Sequence, residues 1–302
     1  MIDSTPITET NDVTNHAIIN ELPREILLDI FTRLSNRKQQ TLVYVCRLWY
    51  DILIPQLYGS VYIWDDKTFS LLRRTVKDTA QSKQLGHFVR RLGVTDRLDK
   101  KQAASLRQIF PFVEELEGRL GEYPDLLSDL SNWEQLKLIS YQDETRNVPK
   151  AFPIEFMASR VELLEMDTAY VGDWMNTCLK LSSIAYLTLA VRNMNSDDSE
   201  TISFSDLDKV IDHLPRLKYL TLRNLRIGGE LPENILPSQK LEYLYLQDVY
   251  GSGLGQYFAR KCNNLETLVG GWDKMDAELR TLVQSCRQLK ELQAYNDNPY
   301  LP

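Results

Sequence analysis

The chain has 302 residues, 43% hydrophobic and 25% charged, a balance that excludes wholesale disorder. Its formal charge of -7 and pI near 5.2 speak against nucleic acid and anionic membrane as partners, because phosphate-binding surfaces rest on clustered Lys and Arg; local pairs such as Arg73-Arg74 and Arg90-Arg91 do not change that sign. No apolar run approaches the roughly 20 residues that span a bilayer, and the opening MIDSTPITETNDVTN lacks the basic start and apolar middle of a signal peptide, so a cytoplasmic and/or nuclear location is expected.

Residues 1–17 are polar and read as a disordered tail. Order begins near Ile18, and Pro23 suits a first helical turn, where its missing N–H costs nothing, with Glu25 placed to favour the helix dipole. The pattern predicts a helix from Pro23 to about Leu34. Its apolar residues Leu22, Ile26, Leu27, Leu28, Ile30, Phe31 and Leu34 cover roughly 240° of the circumference, where a core-facing stripe needs only about 100°. A second helix, about Lys38 to Ile54 and ended by Pro55, repeats the excess through Leu42, Val43, Val45, Cys46, Leu48, Trp49, Ile52 and Leu53. A unit of about 40 residues is near the lower limit for its own core. The surplus apolar surface therefore packs either on the segment that follows or on a partner.

The residues Leu22-Pro23-x-Glu25-Ile26-Leu27-x-x-Ile30-Phe31-x-x-Leu34, followed by Val45-Cys46-Arg47-x-Trp49-Tyr50 and Leu57-Tyr58, closely resemble the F-box. That resemblance implies a three-helix hook over residues 18–60 that binds the Skp-type adaptor of a cullin-based ubiquitin ligase. Carried over by position, Leu22, Pro23, Ile26, Leu27, Ile30, Phe31, Leu34, Leu42, Val45 and Trp49 are implied to form the adaptor-facing and hook-stabilising surface. The segment SNRKQQTLVY between Leu34 and Val45 departs from common versions, being slightly shorter and without their Asp-Leu step.

From residue 61 to 302 a phrase, apolar-x-x-apolar-x-apolar, recurs. It reads Val89-Leu92-Val94, Val113-Leu116-Gly118, Trp133-Leu136-Leu138, Val161-Leu164-Met166, Ile184-Leu187-Leu189, Leu217-Leu220-Leu222, Leu241-Leu244-Leu246, Leu265-Leu268-Gly270 and Leu289-Leu292-Ala294. The central residues are spaced 24, 20, 28, 23, 33, 24, 24 and 24 apart, within the 20 to 29 residue period of leucine-rich repeats apart from the long interval. The fold expected is α/β, an N-terminal three-helix unit followed by a solenoid with a parallel concave sheet. Helix-like intervals such as Phe204 to Leu214 and Asp276 to Cys286 fit it. Cys262 and Cys286 each stand three residues before a strand, which resembles the cysteine-containing subclass of these repeats, one that commonly follows an F-box. The asparagine expected after such strands is mostly absent, with Leu225 and Val249 near its place.

Side chains alternate along a strand, so phrase positions three, five and seven face outward. The third carries Gln135, Leu163, Tyr186, Tyr219, Tyr243, Thr267 and Glu291, and the fifth Lys137, Glu165, Thr188, Thr221, Tyr245, Val269 and Gln293. Tyr186, Tyr219, Tyr243 and Tyr245, with Arg223 and Gln247 at position seven, have the makeup of a target-binding hot spot; equally, adjacent tyrosines can brace one another and bind nothing. Glu165 and Asp167 add acidity at one end of the stripe, suited to a basic segment. The polar run 195–200 reads as a solvated loop, and YGSGLGQ as a flexible turn, since its glycines fail the G-x-G-x-x-G order of a nucleotide loop.

Cys46, Cys178, Cys262 and Cys286 form no C-x-x-C pair, and His16, His87 and His213 lie far apart, so neither zinc, disulfide framework nor cofactor is expected. With no G-x-S-x-G and no H-E-x-x-H, a non-catalytic reading leads. The resemblance implies a substrate receptor that joins a Skp-type adaptor, and through it cullin, to an unknown target protein. A leucine-rich-repeat scaffold or inhibitor outside any ligase is the other reading.

Overall fold

The computed structural model describes residues 18–77, 85–95, 98–120, 123, 126–127, 130–143, 154–168, 172–191, 201–270 and 276–294. The predicted tail of 1–17 and the loop at 195–200 lie outside them. The chain divides into two units, Met1–Gly59 and Ser60–Pro302.

The first unit holds a short 3-10 turn, Ile18–Glu21, and three helices, α1 (Arg24–Thr32), α2 (Asn36–Leu42) and α3 (Arg47–Tyr58). Pro23 is extended (φ -51, ψ 146), and its carbonyl accepts the first helical bonds from Ile26 and Leu27. Leu27 and Phe31 of α1 pack on Trp49, Ile52 and Leu53 of α3, with the Phe31 and Trp49 rings edge to face at 5.0 Å. Two polar contacts fix the corners. Buried Gln39 donates through Nε2 to the carbonyls of Phe31 and Leu34 at 2.9 and 3.1 Å, closing the end of α1, and Trp49 Nε1 donates to Asn20 Oδ1 at 2.9 Å.

The single helix expected from Lys38 to Ile54 is two helices here. The run Val43-Tyr44-Val45-Cys46 is β-branched and aromatic, a weak helix former; it turns through short bonds from Tyr44 to Thr41 and Val45 to Leu42, and Cys46 is fully extended (φ -158, ψ 168). Nor does Pro55 end the helix, because it lies inside α3. Proline leaves the carbonyl four residues earlier without its N–H partner, and Arg24 Nη2 donates to that carbonyl, Asp51 O, at 3.2 Å.

The second unit runs β1 (Ser60–Ile63), α4 (Asp66–Lys77), α5 (Leu85–Phe88), β2 (Arg91–Val94), α6 (Lys100–Ile109), β3 (Glu115–Gly118), β4 (Leu138–Asp143), α7 (Ile154–Arg160), β5 (Leu163–Thr168), α8 (Gly172–Cys178), β6 (Tyr186–Val191), β7 (Thr201–Ser203), α9 (Phe204–His213), β8 (Tyr219–Gly228), β9 (Tyr243–Tyr250), α10 (Leu254–Lys261), β10 (Thr267–Gly270), α11 (Asp276–Ser285) and β11 (Glu291–Ala294). Among the described residues the sheet has eleven strands, ten in chain order with β7 paired to β8 beside the path, and every pairing is parallel. This is a leucine-rich-repeat solenoid. One row of side chains crosses it: Val61, Leu92, Leu116, Ile139, Leu164, Leu187, Leu220, Leu244, Leu268 and Leu292 stand side by side. All are buried except Leu292 on the last strand, which is 50% exposed.

Two register expectations change. Leu116 pairs with Ile139, not Leu136, so the third phrase is Leu136-Ile139-Tyr141, and Gln135 and Lys137 precede the strand while Leu138 and Ser140 take the outward positions. Strand β1 adds a repeat centred on Val61 that the phrase count omits. Within β8 and β9, Leu225 and Val249 are paired and buried in the core, and the residues before them, Asn224 and Asp248, make matching left-handed bends at φ 53 and 51, a conformation their short polar side chains tolerate.

YGSGLGQ is not a flexible turn but the start of α10. Gly253 caps the helix at φ 88, and Glu278 of α11 accepts from the N–H groups of Gly253 and Gly255 at 2.9 and 2.6 Å, so a carboxylate already occupies the anion-favouring helix end. A Cβ on Gly255 would meet Glu278 O at 2.0 Å, which fixes glycine where α11 crosses. Between α9 and α10, fully buried Lys261 lies 2.8 Å from Asp208 and also pairs with Asp212, while the Tyr257 hydroxyl donates to Asp208 at 3.1 Å. Cys178, Cys262 and Cys286 are buried free thiols and Cys46 is half-buried; the Cys286 thiol donates to Cys262 O at 3.6 Å.

Two stability outcomes follow from this core. Lys261→Met strands Asp208 without its cation and should cost about 3–5 kcal/mol in urea unfolding, with most of the loss restored by adding Asp208→Asn, which keeps an acceptor for Tyr257. An unchanged midpoint for Lys261→Met would show that the pair is not under tension of burial. Burial also pushes the Cys178 thiol from 9.0 up to about 12, pushes up Cys262, and, with the Asp208 charge, pushes up the Tyr257 hydroxyl. These raised groups favour the neutral form in the folded chain, so their contribution is complete below the unfolded thiol value of 9.0 and is lost as pH climbs towards about 12. The urea midpoint should hold steady to pH 9 and fall above it; a flat profile to pH 12 would contradict the assignment.

Candidate interaction surfaces

The residues singled out in the first unit separate by depth. Leu27, Phe31 and Trp49 are core, Leu22, Ile30, Leu34 and Leu42 are half-buried, and Pro23, Ile26 and Val45 are exposed. Ile26 on α1 is 49% exposed and Val45 56%. The break between α2 and α3 brings out three further apolar side chains: Tyr44 at 90% exposed, Leu48 at 38% and Tyr50 at 43%. Reading 38–54 as one helix concealed them; the signal was the run Val43-Tyr44-Val45, too β-branched to continue a helix. An open cleft of about 670 Å³ lined by Arg37, Thr41, Val43, Tyr44, Leu57 and Tyr58 adjoins Tyr44. Exposed apolar surface concentrated on so small a unit is the usual mark of an interaction site.

The outward face of the sheet carries three aligned rows. In the first, Tyr186, Tyr219 and Tyr243 follow one another across β6, β8 and β9. The rings of Tyr186 and Tyr219 stack at 4.3 Å and 7°, and those of Tyr219 and Tyr243 meet at 5.6 Å and 41°, so the tyrosines brace one another while Tyr186 stays 39% exposed. The charge that Tyr186 would acquire pushes the Tyr219 hydroxyl up, and burial does the same to Tyr243. In the second row Glu117, Ser140, Glu165, Thr188, Thr221 and Tyr245 lie in register. The third holds Asp167, Ala190, Arg223 and Gln247. The Tyr245 hydroxyl donates to Gln247 Oε1 at 3.1 Å, whereas Arg223 Nε is buried with no hydrogen-bond partner. All six residues proposed for a target therefore share one face.

At the other end of that face Tyr62 and Trp64 stack at 5.5 Å and 19°. Gly93 on the neighbouring strand makes room, since a Cβ there would lie 2.3 Å from the Tyr62 ring. Trp64 is 60% exposed, and the adjoining Arg91 and Glu115 form an ion pair. Counting Tyr58-x-x-Val61-x-Ile63 as a further phrase would have found this patch. Among the described residues no group of three or more His, Cys, Asp or Glu is placed to hold a metal, and no helix is long and apolar enough to cross a membrane.

Comparison with known proteins bears on the two units unequally. No curated protein matches the chain. Among solved structures, an internalin from Listeria monocytogenes aligns over 91% of this chain and 90% of its own, at 13% identity and a TM-score of 0.39; the fold assignment rests on the strand ladder and not on that likeness. Residues 19–64 match the F-box-like family. A segment that matches the F-box-like family thus precedes a parallel-sheet solenoid.

Proposed function

We propose that this chain is the substrate-recognition subunit of a Skp/cullin/F-box ubiquitin ligase. The F-box-like match at residues 19–64 carries the reading, and the exposed side chains Ile26, Val45 and Leu48 support it by offering an adaptor apolar area on both sides of a small packed hook. Leu27, Phe31 and Trp49 hold that hook in shape with Leu22, Ile30, Leu34 and Leu42 packed against them, while Pro23 adds to the exposed surface. The target sits on the sheet face across Tyr186, Tyr219, Tyr243, Tyr245, Arg223 and Gln247. The chain contributes no bond-making step; it raises the local concentration of target lysines beside ubiquitin carried by other subunits, with degradation as the outcome.

Co-purification with a Skp-type adaptor and cullin tests this. Ile26→Glu with Val45→Glu replaces exposed residues only, so its melting temperature should match the parent while adaptor recovery falls at least about tenfold, the loss expected when apolar hot-spot residues become charged. Adaptor binding without cullin would instead favour a scaffold or inhibitor outside any ligase. Equal adaptor recovery by both proteins would remove the proposed surface.

A further inference from the structure

Among the described residues Arg223 stands on the proposed target-facing sheet surface without an anion. Its guanidinium has five N–H donors and no acceptor, it is half-buried, and Nε is shut off from water with nothing accepting its hydrogen. Its neighbours in the same row do not help: Ala190 on β6 is an alkyl group, and Gln247 on β9 already accepts from the Tyr245 hydroxyl. Neither acid on this part of the face answers it: no ion pair joins Arg223 to Asp167, two strands away in the same row, or to Glu165 among the described residues. Glu165 lies two strands away and two residues earlier along the strand, a separation on the order of 11–12 Å from strand spacings of ~4.8 Å and a rise of ~3.3 Å per residue. Glu165 is also half-buried, and no ion pair is formed by it or by Arg223 among the described residues. Two opposite charges, each partly withdrawn from water and each without a counter-ion, thus face the same side of the sheet. A half-buried polar group is expected to find a partner.

We propose that an extended segment of the target protein crosses this face with an acidic side chain on Arg223 and a basic side chain on Glu165. The inference rests on the target-receptor reading above and deepens it. An extended chain advances ~3.3 Å per residue, so the acidic and basic residues of the segment are three or four positions apart. The guanidinium fork matches a carboxylate in bidentate fashion. A single carboxylate fits better than a phosphoryl group, whose second charge would call for a second cation. Of the other strand arginines, Arg91 on β2 is already paired with Glu115, and Arg226 lies beyond the bend that β8 makes at Asn224. The stacked tyrosines beside Arg223 supply a rigid wall for the stem of the bound segment.

The test uses the full chain bound to a Skp-type adaptor and a displayed library of random dodecapeptides. Selected peptides should share an Asp or Glu with a Lys or Arg three or four residues away, and Arg223→Glu should weaken them by at least about tenfold. The double reversal Arg223→Glu with Glu165→Arg should select peptides of the opposite charge order. Arg223→Gln should melt with the parent and also lose the peptides, which separates an anion-binding role from a structural one; a variant that unfolds would make Arg223 structural and overturn the proposal. Peptides that lack the acidic position, that bind Arg223→Glu equally, or that bind only as phosphoserine versions would likewise overturn it. If no acid-dependent peptide emerges while adaptor binding persists, this inference fails and the receptor reading stands.

Discussion

The central aliphatic row, from Val61 through Leu268, is the constraint on which the sheet depends. Val61 lies against Leu92 at the sheet edge, each later side chain of the row is buried between the equivalent residues of the strands on either side, and burying one Leu is worth about 1.5–3 kcal/mol. A slip of one residue in any strand would turn that side chain outward and bring a polar one in. The row thereby fixes the outward positions too. Tyr186, Tyr219 and Tyr243 can stack because Leu187, Leu220 and Leu244 are locked beside one another, and Arg223 sits opposite Ala190 and Gln247 for the same reason. Side-chain geometry on the outward face is a by-product of packing on the inward one.

The two units meet their stability needs differently. In the solenoid each repeat leans on its neighbours, supplemented by cross-repeat polar links such as Glu278 on the start of α10 and Lys261 between α9 and α10. Such nearest-neighbour coupling is how repeat arrays gain stability. Among the described residues the helical hook has a packed core cluster of five side chains, Leu27, Phe31, Trp49, Ile52 and Leu53. A core that small is marginal by itself, and it leaves Ile26, Val45 and Tyr44 in water. A hook that gains from being covered is consistent with a domain built to be clamped by a partner.

Much of this was legible in the residues, and the exceptions have physical causes. The last four repeats are readable because a Leu stands at the first two inward positions of each and the period is constant at 24. Repeat three is ambiguous because Trp133-x-x-Leu136-x-Leu138 and Leu136-x-x-Ile139-x-Tyr141 both satisfy the phrase; only pairing with Leu116 and Leu164 chooses between them. The break at Val43–Cys46 carries no Gly or Pro, so propensity alone had to reveal it. Glu278 on the glycine-rich turn and Asp208 with Lys261 are contacts between residues 23 to 53 positions apart, beyond the reach of any local pattern. Arg223 falls at an outward phrase position in the residues, but whether an anion answers it among the described residues is a property of its neighbours across the sheet.

As proposed, the chain is a coupler with separate grips, the hook for an adaptor and the sheet face for a target. Amide hydrogen exchange on the full chain, with and without a Skp-type adaptor, measures that separation most directly. Slowed exchange confined to α1, α2 and α3, with the strands from β1 to β11 unchanged, is the predicted result. Protection spread along β6, β8 and β9, or none within residues 19–64, would contradict it.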